Sequence, residues 1–147
     1  MAEQNRVQWV YSSANNRELQ ERYDQWAATY DADLENDFGY IGPWVAADIF
    51  AKHVGTDASV LDAGAGTGLV GKLLAEKGYG DIDAMDLSEG MLEEARKTEA
   101  YKAFHQMVMG EHLDFPDGAY DAVVAIGVLT IGHAPASSLD ELVRVTR

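Results

Sequence analysis

The chain has 147 residues, enough for one domain around one hydrophobic core. Its 47% hydrophobic and 24% charged residues are ordinary for a globular protein, and the lack of cysteine excludes disulfides, thiolate metal sites and a cysteine nucleophile. A net charge of −14 repels nucleic acid and anionic lipid; it suits a cationic ligand, or serves solubility alone. No apolar run approaches the ~18 residues of a membrane span. The first ten residues lack a signal-peptide pattern, so a cytoplasmic location is expected.

Residues 1–16 read as a polar tail or irregular segment, and 17–147 as the domain. Over 17–30, Leu19, Tyr23, Trp26 and Tyr30 recur at helical spacing and predict an amphipathic helix with an aromatic stripe. The acidic run 31–39 reads as a loop. Pro43 suits the first turn of a second helix, which Val45, Ile49 and Phe50 make apolar on one face. Two helices are thus expected before the first strand, residues 59–63. A helix over 69–77, a strand over 81–86 and a helix from Ser88 to about residue 100 follow. Strands over 104–109 and 120–126 come next, the second apolar throughout. Ser138-Leu139-Asp140-Glu141 is a capping box that opens a last helix. Strand and helix alternate from residue 59 onward, which predicts an α/β fold with a parallel sheet and helices on both faces.

The chemistry concentrates at Val60-Leu61-Asp62-Ala63-Gly64-Ala65-Gly66-Thr67-Gly68. Here an acidic strand end meets a turn with glycine at every second position. Such a turn admits positive φ and close backbone approach to a ligand, and the following helix aims its N-terminus at it. Residues 66–71 also satisfy GxGxxG, the dinucleotide pattern. That register sets the Asp62 carboxylate near a pyrophosphate, which costs energy. S-adenosylmethionine instead brings a sulfonium and an ammonium, both cationic. The register Asp62, Gly64, Ala65, Gly66, Gly68 therefore fits a methyl donor better.

Asp86 ends the second strand, where a carboxylate can accept from two ribose hydroxyls. NAD and S-adenosylmethionine both carry such a ribose, and a helix-N-terminal charge is the plainer alternative. Leu87 and Met91 either flank an adenine or simply pack. Glu111 can accept from the adenine amine and the His112 N–H can meet a ring nitrogen; the alternative is a solvated loop. His133, just past the fourth strand, is either a base or substrate contact or an ordinary loop histidine. Tyr23, Trp26 and Tyr30 either form a lid over the donor or pack their helix. His53 and His105 read as structural, and no metal site is expected.

With these segments in view, the chain resembles the class I S-adenosylmethionine-dependent methyltransferases. VLDAGAGTG is similar to that family's first motif, DIDAMDLSEGML to its second, and FPDGAYDAVVAIGVL to its strand-four region. RYDQWAATYDADL resembles the aromatic opening of small-molecule members; the whole looks closest to the Williams–Beuren-region methyltransferase-like proteins and their bacterial relatives. The resemblance implies a Rossmann-like sheet, Asp62 and the glycines near the methionine moiety, Asp86 on the ribose and Glu111 near adenine. It implies a small-molecule acceptor and S-adenosylhomocysteine as product. Of its strand order, 3-2-1-4 is expected here, with strands five to seven missing. Strand four then becomes an edge, and a second copy of the chain is expected to cover it. A donor-binding module without turnover and a nicotinamide-dependent oxidoreductase are the other two readings.

Overall fold

The computed structural model describes residues 5–147, with 36–38 by backbone only. Helices α1 (Arg6–Tyr11), α2 (Asn16–Trp26), α3 (Tyr30–Phe38) and α4 (Gly42–His53) precede β1 (Val60–Ala63). Then come α5 (Leu69–Glu76), β2 (Ile82–Asp86), α6 (Glu89–Arg96), β3 (Ala103–Gln106), β4 (Ala122–Val124) and α7 (Ser138–Val145). The four strands form one parallel sheet in the order β3-β2-β1-β4, as expected.

Alternation along the strands divides the core in two. Val60, Ile82, Ala84 and Val124 face Val70 and Leu74 of α5, Ala47 of α4 and Leu92 of α6. Leu61, Ala63 and Met85 face the other way, toward Leu142 and Val145 of α7. All four residues of β1 are buried, Asp62 included. The chain crosses from the β1-β2-β3 side to β4 at β1, so the carboxyl ends of β1 and β4 flank the crevice where α/β sheets bind ligands.

The N-terminal region departs from the sequence reading. Four helices, not two, precede β1. Within the expected tail, Asn5 caps α1 by accepting from the Val7 N–H, and Val10 is wholly buried with Leu19 and Trp26 in a third apolar cluster. Residues 1–4 of that tail lie outside the described residues. The predicted 17–30 helix breaks into a 3-10 turn at Ala27–Thr29. The acidic run is then helical rather than a loop. Asp31 and Asp33 sit in the first turn of α3, where carboxylates are favourable, and Trp26 Nε1–H donates to Asp33 at 2.7 Å. Gly39, in the left-handed region, ends it.

The third and fourth strands are shorter than predicted. Tyr120 is drawn out of β4 into a bridge with Thr146: its N–H donates to Val145 O and its carbonyl accepts from Arg147 N–H, both at 2.9 Å. Residues 145–147 therefore lie beside the start of β4 on its outer side.

Candidate functional site

The turn after β1 is held from below by main chain. The N–H groups of Gly64 and Ala65 both donate to Met85 O, at 2.7 and 2.9 Å. Gly64 has φ +79°, and a Cβ there would stand 2.3 Å from Val128 Cγ1, so only glycine fits. The Gly66 N–H donates to Asp86 Oδ2 at 2.9 Å, and Asp86 Oδ1 accepts from Ser88 N–H at 2.9 Å. Asp86 is half-buried, and that burial holds its carboxyl above the usual carboxylate range.

Two cavities open on this turn. The first, about 90 Å³, is lined by Gly64, Gly66, Asp86, Leu87 and Met91, with Met107 and Met109 on one wall and Tyr23, Tyr30 and His133 closing it. The second, about 520 Å³, lies on the other side of the turn, over Asp62, Ala65, Thr67 and the first turn of α5. Tyr30, Asp31, Glu35, Tyr40 and Trp44 form its opposite wall. No lysine or arginine stands among the described residues lining either cavity.

Asp62 lies under α5 rather than projecting from the strand end. It is 1% exposed and accepts a hydrogen bond from Tyr101 Oη at 2.7 Å. Burial pushes its carboxyl up to about 7, against the lowering effect of that bond. Tyr101 lines neither cavity but holds Asp62 from behind, a contact that sequence reasoning missed. It also accepts the Gly71 N–H at 3.1 Å. A Cβ at Gly71 would stand 2.1 Å from the Tyr101 ring. The last glycine of the GxGxxG decoy thus makes room for a tyrosine. The available signal was a glycine inside a helix, where it costs about 1 kcal/mol and so calls for a close neighbour.

The lid over the first cavity is α1–α3. Asp24 of α2 accepts from the Gly90 N–H at 2.9 Å and from the Ser88 hydroxyl. The Thr67 hydroxyl donates to Asp31 of α3 at 2.6 Å. Tyr23 hydrogen-bonds His133 Nε2, and the Tyr11 ring meets His133 edge-on at 4.5 Å. Burial depresses the His133 imidazole pKa and raises the Tyr23 phenol, so both are neutral at neutral pH and the His133 tautomer sets which of them donates.

Of the residues predicted from sequence, Asp86, Leu87, Met91, Gly64, Gly66, Tyr23, Tyr30 and His133 meet around the first cavity, while Asp62 and Ala65 meet at the second. Gly68 caps α5 with φ +89° and packs on Ala95 and Tyr101. Trp26 lines neither cavity: it is 1% exposed in the lid's own core. Glu111 and His112 are exposed and also outside both. Gly110 turns the chain away at φ +97°, and the Glu141 carboxylate takes His112 Nδ1 at 3.1 Å and the Leu113 N–H at 2.8 Å. The wall expected of Glu111 and His112 is formed by Met107, Val108 and Met109 instead. His105 meets Asp83 at 3.3 Å, away from the site. Among the described residues no three His, Asp or Glu side chains gather to hold a metal, and no helix is long and apolar enough to cross a membrane.

The comparisons with known proteins agree with this geometry. The family described as a methyltransferase domain matches residues 60–147. Methyltransferase-like protein 27 of Homo sapiens is 35% identical over 124 residues, covering 82% of this chain and 50% of that protein. Malonyl-[acyl-carrier protein] O-methyltransferase of Serratia marcescens is 31% identical over 141 residues, covering 92% of this chain and 51% of that protein. The chain thus spans about half the length of these curated relatives. In fold it matches a TehB-like SAM-dependent methyltransferase from Corynebacterium glutamicum, with a TM-score of 0.62 over 85% of this chain and 67% of that one, at 19% identity. The nicotinamide-dependent alternative falls with the family match, and the glycine turn is that of a methyl-donor fold. The chain belongs to the class I S-adenosylmethionine-dependent methyltransferases.

Proposed function

We propose that this chain binds S-adenosylmethionine across the two cavities and serves methyl transfer to a small-molecule acceptor. The observation that carries the reading is the pairing of the glycine turn with two carboxylates, Asp62 and Asp86, and no lysine or arginine among the described lining residues. A pyrophosphate meets repulsion there; a sulfonium and an ammonium meet attraction.

Asp86 would accept from the ribose hydroxyls with the lone pairs that Gly66 and Ser88 leave free. Leu87, Met91, Met107 and Met109 offer apolar walls to an adenine. The turn at Gly64, Ala65 and Gly66 lets a chain of atoms pass from the first cavity to the second, and Gly68 starts the helix aimed at it. Asp62 forms the negative floor at the methionine end. The bound donor supplies a methyl group already activated by its sulfonium. The protein's own work is to align the acceptor and exclude water. Tyr23 and Tyr30 close the adenosine side. His133, neutral at physiological pH, can take a proton from an acceptor that must lose one.

The first cavity is far smaller than the ~300 Å³ at which small-molecule sites begin, so the lid, Tyr23 and His133 must move outward to admit an adenosine. The second is within the usual range and takes the acceptor. Its carboxylates Asp31 and Glu35 favour an uncharged or cationic acceptor. Association of two copies through the part of the β4 edge that residues 145–147 leave open, Ala122–Val124, is part of the same proposal; a monomer by light scattering at micromolar concentration contradicts it.

Calorimetry with S-adenosylhomocysteine and with NADH tests the reading. Saturable binding of the first and none of the second is expected; the reverse defeats it. Binding without methyl transfer to any acceptor leaves the chain a donor-binding module.

A further inference from the structure

We propose that Tyr101 is a positioning residue of the donor site, whose hydroxyl keeps the Asp62 carboxylate aimed and charged beneath the second cavity. The inference rests on the donor reading above for its functional consequence, though not for its geometry.

Tyr101 stands between α6 and β3, outside both elements, and is 9% exposed. Its hydroxyl accepts the Gly71 N–H at 3.1 Å, so its own proton is directed to Asp62 at 2.7 Å. The three groups form a buried relay from the first turns of α5 to the centre of the sheet. Two glycines of one turn are shaped around this ring. A Cβ at Gly68 would stand 3.0 Å from Tyr101 Cε2, and one at Gly71 2.1 Å from Cζ.

The charges around Asp62 explain why a hydroxyl is needed. Asp86 at the end of β2 bears the same sign and raises the Asp62 pKa. Across the cavity stand Asp31 and Glu35 of α3 with Tyr30 and Tyr40, all acidic or neutral. Among the described lining residues no lysine or arginine steadies the Asp62 carboxylate. The hydrogen bond from Tyr101, itself oriented by the Gly71 N–H, lowers its pKa against burial and Asp86. A ring needed only for packing is replaced faithfully by phenylalanine; a ring needed for its hydroxyl is not.

The test compares the parent with Tyr101→Phe and Asp62→Asn in two readouts. The first is the titration of the Asp62 carboxyl, followed by carbon-detected NMR in ligand-free protein. In Tyr101→Phe its midpoint moves up by about one pH unit. The second is calorimetric affinity for S-adenosylmethionine across the neutral range. The carboxylate attracts a cation only when ionised, so affinity rises with pH through the Asp62 midpoint. Tyr101→Phe weakens binding about fivefold at pH 7 and regains it at higher pH, while Asp62→Asn loses that pH dependence. The proposal is overturned by an unchanged Asp62 titration in Tyr101→Phe, or by a loss of affinity equal at every pH. Retention of the parent's pH profile in Asp62→Asn overturns it also, without relying on Tyr101→Phe to fold. If the parent binds no donor, the donor reading fails, and the ligand-free titration still decides the role of Tyr101.

Discussion

Under the site, the β1–α5 turn is fastened by buried main-chain bonds to Met85 and by the Gly71–Tyr101–Asp62 relay, between sheet and helix. Above it, α1–α3 are a separate small cluster around Val10, Leu19 and Trp26, joined to the sheet domain through Leu87 and the side chains of Asp24, Asp31 and Tyr23. The floor shares its contacts with the main core, so it loosens only when the domain does. The lid has a core of its own and polar latches, so it can open while the sheet stays folded. A site that must enclose a donor and then release its product needs one part of each kind.

The largest expected effect lies in the floor. The Asp62 carboxyl rises from 3.8 in an unstructured chain to about 7 in the fold. The folded state therefore holds that proton more tightly, and its stabilising contribution is full below pH 3.8 and lost as pH rises toward 7. Denaturant melts at pH 3 and pH 8 should differ by about 4 kcal/mol more in the parent than in Asp62→Asn. Equal pH dependence in the two removes the buried, unpaired charge from the account.

Next comes Gly71→Ala, which drives a methyl group into the Tyr101 ring. Overpacking of about 3 kcal/mol should lower the thermal midpoint by about 10 °C in circular dichroism. A smaller effect belongs to the lid. Asp24→Ala removes the bonds to Ser88 and Gly90 and should cost about 1 kcal/mol. That loss should appear as faster proteolysis within α1–α3, with a shift in global melting well below that of Gly71→Ala. Equal global shifts would merge floor and lid into one cooperative unit. Smallest is His133→Gln, which retains a partner for Tyr23; it should leave melting unchanged and alter methyl transfer only for acceptors that must lose a proton.

The same contrast governs what was legible in the sequence. From β1 onward, periodicity, the glycine turn and the Ser88 cap announced the elements and the parallel sheet, while the family resemblance supplied the strand order. The capping box read at residues 138–141 did not form: Ser137 is the cap residue, and Glu141 turns to the Leu113 N–H and Arg144 instead. Asp86 at the end of β2 and Met91 in the first turn of α6 line the first cavity where the sequence put them, whereas Asp62, read at the strand end, lies under α5. The lid was legible only in part. Residues 31–39 read as a loop from their charge, and became helical because Asp31 and Asp33 suit a helix start and Trp26 anchors Asp33. Tyr101 has no local signal, since its partner on the sheet is Asp62, far away in sequence. Glu111 and His112 misled because an acidic loop near a strand end says nothing of its direction, which Gly110 and the Glu141 contacts decide.

Hydrogen exchange read by mass spectrometry, with and without S-adenosylhomocysteine, tests the central claim most directly. The account predicts slowed exchange in three places together: the turn at 64–68, the segment 86–91, and the lid helices α2 and α3. Protection of the turn with an unaffected lid would contradict the closing role of Tyr23 and Tyr30. No protection at either the turn or 86–91 would contradict the donor site itself.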